Sequence, residues 1–262
     1  MIKLYDCNAS FGVADVPPPR YAATPDELIA EMDFCNVDEA LVTCAAQWCD
    51  SPLVGNELVV KEAQGHARLH PAWILLPPQT GEQGSSVDAL LSDMARAGVR
   101  ALWALPARNK YLLNATTFGS VFEEFVEHDI PLFLPLTEAV PGLAGHAATH
   151  LGWQLVDTLL GQFPRLTLVA TEQSVWGQDR YFRPLIERYA KLYLDISTYE
   201  QGRGLEDFCR RYGADRLLFG THYPEVPMGG PVLNLLNADI PNEHKELIGS
   251  GNLTRLLREV RL

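Results

Sequence analysis

The sequence has no CxxC pair and no run of apolar residues long enough to cross a membrane. It is also short of positive charge: 21 Lys and Arg stand against 33 Asp and Glu in 262 residues, a net charge of −12. A chain this acidic is a poor partner for nucleic acid or an anionic membrane surface. The longest stretch free of acidic and basic residues, 139–156, is broken by proline and glycine and carries His146, His150 and Gln154, so it does not read as a membrane span. The opening residues, MIKLYDCNASFG, have no apolar core of the kind a secretory signal needs. The five cysteines, Cys7, Cys35, Cys44, Cys49 and Cys209, are odd in number and unpaired in pattern. They read as reduced thiols, and the expectation is a cytoplasmic protein.

Sequence signatures of several common enzymes are missing too. No GxGxxG follows the first apolar run, which weakens a dinucleotide-binding fold. No GxxxxGK[ST] phosphate loop and no GxSxG nucleophile elbow occurs. His146 and His150 are spaced for one helix face, but no HExxH accompanies them.

What is present is an alternation of short apolar runs with helical patterns. The runs are 2–7, 40–44, 68–76, 99–103, 131–134, 166–170, 192–196 and 216–220. Thr24-Pro25-Asp26-Glu27 has a capping residue, a proline suited to the first helical turn and a glutamate for the return bond. Ser86 opens another helix and Gly98 closes it. Strands separated by helices pair in parallel, and parallel sheets need cover on both faces. About eight such units in roughly 250 residues predict one (β/α)8 TIM barrel spanning residues 1–262, with an open doubly wound sheet as the competitor.

Four segments carry a family resemblance. They are Asp6-Cys7-Asn8-Ala9-Ser10-Phe11-Gly12, the helix-then-strand opening from Thr24 to Thr43, Arg216-Leu217-Leu218-Phe219-Gly220-Thr221-His222-Tyr223-Pro224, and Gly251-Asn252-Leu253-Thr254-Arg255-Leu256-Leu257. Together they resemble the amidohydrolase-related (amidohydrolase 2) family of TIM-barrel metal-dependent hydrolases and decarboxylases. The resemblance implies a divalent metal held at the strand ends, yet this sequence departs from the ligand pattern. Where the family has two histidines on its first strand, Asn8 and Ser10 stand here. Pro135 and Thr171 replace histidines of the middle strands, and His222 replaces the proton-accepting aspartate. A catalytic zinc needs about three His, Asp, Glu or Cys ligands. The reading is therefore a degenerate metal site, with no metal and no other cofactor.

Barrel chemistry sits at the carboxyl ends of the strands. His222 is the first candidate, as a general base that takes a proton from water without a metal. Glu172 and Asp195 are the carboxylates that can orient it, and Asp195 can equally bond backbone N–H groups at the rim. Asn8, Ser10, Trp48, Trp73, Trp103 and Thr171 are the candidates for holding substrate. Gln47, Glu138 and Glu225 also fall near strand ends. Arg108 and Lys110 follow the fourth strand, where they can meet an anion or simply face water. Cys44 and Cys49 have no basic neighbour in sequence and read as quiet thiols.

The function expected is an amidohydrolase-like hydrolase on a small carbonyl-containing metabolite, independent of metal. Two alternatives stay open: a non-catalytic relative that binds a ligand or protein partner, and a metallohydrolase or decarboxylase with relocated ligands. The partner expected is a small molecule, and a homo-oligomer stays open.

Overall fold

The computed structural model describes residues 2–84, 86–139, 148–172 and 178–262. In chain order the first half runs β1 (Tyr5–Phe11), α1 (Pro25–Cys35), β2 (Glu39–Cys44), α2 (Ala45–Cys49), α3 (Pro52–Ala63), β3 (Leu69–Pro71), β4 (Trp73–Leu75), α4 (Val87–Ala97), β5 (Leu102–Ala104) and α5 (Ala115–Glu127). The second half runs β6 (Leu132–Pro135), β7 (Thr137–Ala139), β8 (Ala148–His150), α6 (Trp153–Gln162), β9 (Leu168–Thr171), α7 (Asp179–Arg188), β10 (Leu192–Asp195), α8 (Gly204–Tyr212), β11 (Leu217–Leu218), α9 (Gly229–Asn237), α10 (Asn242–Glu246) and α11 (Asn252–Glu259).

The parallel strands form a ring. One sheet has the order β1-β2-β3 and the other β4-β5-β6-β9-β10-β11. Two joints connect them. Ala72 N–H, between β3 and β4, donates to Val42 O at 2.9 Å, so β3 and β4 act as one kinked strand. At the other joint Cys7 N–H reaches Phe219 O at 2.8 Å and Ser10 N–H reaches Tyr223 O at 2.9 Å. Eight strands thus close into a (β/α)8 barrel, and closure leaves no open sheet edge. No helix among the described residues is long and apolar enough to cross a membrane.

Side-chain alternation divides the core in two. Cys7, Ile74, Trp103, Phe133, Val169 and Leu218 fill the lumen, while Val42, Leu75, Leu102, Leu132, Leu168 and Leu217 face the helices. Each fully buried side chain of this size contributes about 1.5–3 kcal/mol. The helix stops behave as the sequence implies. Thr24 Oγ1 accepts from Glu27 N–H at 3.3 Å, although Glu27 returns its bond to Ala23 N–H, one residue early. Ser86 caps α4 through Ala89 N–H at 3.2 Å, and Gly98 ends it at φ 70°, a left-handed turn suited to glycine.

Three differences from the sequence reading bear on the site. The first strand begins later and runs on to Phe11, carrying Asn8 and Ser10 inside it. The 68–76 run is two short strands. His150, spaced from His146 as on one helix face, is instead on a strand, β8, which runs antiparallel to β7. His146 lies outside the described residues.

Candidate active site

The carboxyl ends of the strands surround a cavity of about 360 Å³. The β1–α1 loop supplies part of the wall. Its neck is pinned by Gly12 N–H donating to Ala22 O at 2.8 Å. Gly12 sits at φ +104°, and a Cβ there would come within 3.1 Å of Ala45 Cβ, so glycine is required at this turn.

Of the residues nominated from sequence, Asn8, Ser10, Trp48, Glu172 and His222 line this cavity. Asp195, Thr171, Trp73 and Trp103, nominated with them, lie outside that lining. Trp73 opens β4, and its indole N–H donates to Asn56 O at 3.0 Å. Trp103 sits lower in the lumen, with its ring 5.2 Å from Phe133 and 5.8 Å from Trp48. It supports Trp48 from behind. Thr171 is fully buried, and alternation from Val169 turns it into the lumen. Gln47 is a structural residue, since its side chain bonds Cys44 N–H, Asn56 and Ala72 O.

Asp195 lies just beneath the cavity and is held by donors. Asn8 Nδ2 reaches it at 3.0 Å, Ser197 N–H at 2.8 Å and the Ser197 hydroxyl at 2.7 Å. Asp6 is held in the same manner by Asn8 N–H and Thr221 N–H, each at 2.9 Å, and by the Thr221 hydroxyl. Burial pushes the Asp6 carboxyl up to about 7, with the bonds from Thr221 and Asn8 pulling the other way. Asp195 is raised for the same reason. Gly220 makes this packing possible, because a Cβ there would stand 2.2 Å from Asp195 Oδ1.

The reactive candidates sit above this layer. His222 Nε2 lies 3.5 Å from Glu172 Oε1 and 3.9 Å from Glu225 Oε2. His222 and Glu172 adopt φ of +54° and +52°, left-handed conformations that cost a side-chain-bearing residue energy. Burial lowers His222 to about 4, so its imidazole is neutral at pH 7. Glu172 moves the other way, well above the carboxylate range, through burial first and then the nearby Glu225, Asp195 and Glu138. Burial also lifts Glu138 to about 7 against the pull of the Arg108 and Ala107 N–H groups. His222 Nδ1 is buried and has no partner among the described residues.

Arg108 is a site residue whose role the sequence left open. It lines the cavity, its Nε donates to Trp48 O, and its Nη2 stands 3.9 Å from Cys49 Sγ. Glu138 fixes that loop by accepting Arg108 N–H at 2.8 Å. Cys49 therefore does have a basic neighbour, brought across 59 positions by the fold.

The donors at the strand ends bear on the divalent ion that the resemblance implies. Asn8 turns its amide nitrogen, not its oxygen, toward Asp195. Asp6 and Asp195 spend their oxygens on protein donors. Among the described residues, no group of three or more His, Cys, Asp or Glu side chains is set to hold a metal ion. The described residues, taken by themselves, do not make a site for the ion.

Known structures share the fold. An uncharacterized TIM-barrel protein from Bordetella bronchiseptica superposes with a TM-score of 0.75 at 20% identity, covering 98% of this chain and 99% of that one. A 5-carboxyvanillate decarboxylase from Sphingomonas paucimobilis gives 0.73 at 16% identity, with both chains covered in full. A 2,6-dihydroxybenzoate decarboxylase from Rhizobium gives 0.73 at 16%, covering 98% and 99%. No curated protein matches the chain. The sequence model of the amidohydrolase-2 family, described as amidohydrolase, matches residues 9–258, nearly the whole barrel, and the chain belongs to that family.

Proposed function

We propose that this chain is a hydrolase for a small carbonyl compound, working through the His222–Glu172 pair without a metal ion. The observation that carries the reading is the placement of the His222 imidazole 3.5 Å from the Glu172 carboxyl, both on the wall of one cavity, where burial favours the uncharged form of each.

The chemistry balances within the pair. His222 takes a proton from water as the water oxygen bonds to the substrate carbonyl carbon. Glu172 gives its proton to the leaving group as the carbon–leaving-group bond breaks. The proton on His222 then crosses to Glu172 and restores the starting state. An imidazole near 4 is a weak base alone, but ionisation of Glu172 places a negative charge beside it and stabilises the imidazolium. Asn8 and Ser10, on the cavity wall, position the substrate carbonyl, and Trp48 packs against its apolar part.

The test is turnover of a panel of small esters, lactones and amides with a metal chelator present. The expected result is hydrolysis that the chelator leaves intact and that falls by about 10²–10⁴-fold in His222→Ala. Turnover abolished by the chelator, or unchanged in His222→Ala, overturns the reading. Tight binding with no turnover across the panel assigns the cavity to a ligand-binding relative instead.

A further inference from the structure

The β1–α1 loop, residues 13–21, is a partition between two spaces. Ala14, Val16, Pro17, Pro18 and Tyr21 line the cavity of about 360 Å³ that holds His222 and Glu172. A second cavity, of about 390 Å³, is lined by Val13 from the same loop and by Ala46, Leu58 and Glu62 from α2 and α3. Gly12 and Asp15 line both. A segment with open space on either side is not held in place by packing.

Hydrogen bonding does not hold it either. The neck is closed by Gly12 N–H on Ala22 O, which brings the two ends of the loop together. Between those ends, among the described residues, no backbone group of 13–21 makes a hydrogen bond. The ion pair of Arg20 with Glu31 is long, at 3.9 Å, and the Arg20 side chain is 84% exposed, so it contributes little. The three consecutive prolines at 17–19 have no N–H to give, and they stiffen the middle of the loop. Movement therefore falls on the residues either side of them. Val16 lines the cavity yet is 64% exposed. An apolar side chain left in water at the edge of a cavity gains by closing onto an apolar ligand.

We infer that residues 13–21 are a lid: a stiff flap on a pinned neck that folds onto a bound ligand and sets Val16, Pro18 and Tyr21 against its apolar body. Closure displaces bulk water from the space beside His222 and Glu172 and strengthens the interactions between them. It also narrows the substrate to an uncharged carbonyl compound with an apolar body, because the side chains that the lid brings to the cavity are mainly apolar. An uncharged ligand leaves His222 and Glu172 in the forms that burial favours, as the proposed proton transfers need. The inference rests on the hydrolase reading for the cavity being the substrate site, and not for closure.

Hydrogen exchange read by mass spectrometry tests this, with the uncharged dye N-phenyl-1-naphthylamine as the apolar probe. In the free protein the N–H groups of the loop are expected to exchange nearly as fast as in an unfolded chain. With the dye at saturation they are expected to slow by at least about tenfold, Val13 and Asp15 on the second cavity included. A chain with residues 14–19 replaced by two glycines keeps the Gly12–Ala22 neck. It is expected to keep its thermal midpoint and to bind the dye at least about tenfold more weakly. Val16→Asp, at an exposed side chain that folding does not need, is expected to weaken the dye by about threefold or more and serves if the shortened chain does not fold. Exchange unchanged by the dye makes the loop a fixed wall, full affinity in a folded variant makes it a bystander, and no dye binding to the unaltered protein removes the apolar site. Each of these overturns the inference. Hydrolysis of panel compounds with the loop unmoved overturns this inference alone. Protection of the loop with no hydrolysis of any panel compound overturns the hydrolase reading alone.

Discussion

Two groups of acidic side chains lie within a few strands of each other and have opposite uses. At the closing seam, where β1 meets β10 and β11, each carboxyl of Asp6 and Asp195 accepts three bonds from the protein. At the mouth, Glu172 faces His222 at 3.5 Å, with both backbones in the left-handed region. Burial raises the carboxyls in both places. What differs, among the described residues, is the supply of donors. A buried carboxyl with its oxygens satisfied is a cross-link, and one facing a neutral base is a proton donor in waiting. A shifted pKa alone does not mark an active site.

The seam is where substitution should cost most. Gly220→Ala puts a Cβ 2.2 Å from Asp195 Oδ1 and 2.7 Å from its Cγ, displacing the acid from its donors. A loss of about 3 kcal/mol or more in urea unfolding is expected. A loss under about 1 kcal/mol would show that the seam can shift freely, and the contrast with the mouth would fail. Asn8→Ala removes only the bond at 3.0 Å to Asp195 and should cost about 1–3 kcal/mol.

The mouth and seam together set the dependence of stability on pH. Asp6 and Glu138 are raised to about 7, and Glu172 and Asp195 are raised as well. Between the ordinary carboxylate range near 4 and these raised values, the folded state holds protons that the unfolded chain has released. Stability from these groups is therefore present below about pH 4 and is lost as pH rises toward 7. His222 acts in the other direction. Lowered to about 4, it stays neutral while the unfolded imidazole charges below about 6.5, so its contribution falls as pH drops through that window. Several carboxyls outweigh one imidazole, so the thermal midpoint should be higher at pH 5 than at pH 8. Glu172→Gln should narrow that gap. A midpoint higher at pH 8 would mean that the buried acids are ionised in the folded protein.

The barrel was legible because its signals are local. Caps such as Ser86, stops such as Gly98 and the alternation of apolar runs with helices each act within a few residues. The mouth was legible only in part. Its residues sit at strand ends, the face where barrels of this kind carry function, and position alone brought Asn8, Ser10, Trp48, Glu172 and His222 to the wall of one cavity. Long-range pairing was not readable. Asn8 and Asp195 meet across 187 positions and Arg108 reaches Trp48 across 60. Trp73 went astray because its place on a strand did not show that the indole would turn to Asn56. The antiparallel pairing of β7 with β8 was not read because the histidine spacing there is compatible with a helix face and no local signal marks a strand.

The smallest expected effect is the one that most sharpens the contrast. His222 holds φ +54° and leaves Nδ1 buried without a partner among the described residues, two costs that no seam residue combines. Asparagine tolerates the left-handed region far better than most residues. His222→Asn should therefore raise unfolding free energy by about 0.5–1 kcal/mol, while any hydrolysis falls by about 10²–10⁴-fold. Stability gained with activity lost is what strain held for chemistry produces. Stability lost by more than about 1 kcal/mol would place His222 with the seam, as a packing residue whose imidazole supports the barrel mouth and performs no proton transfer.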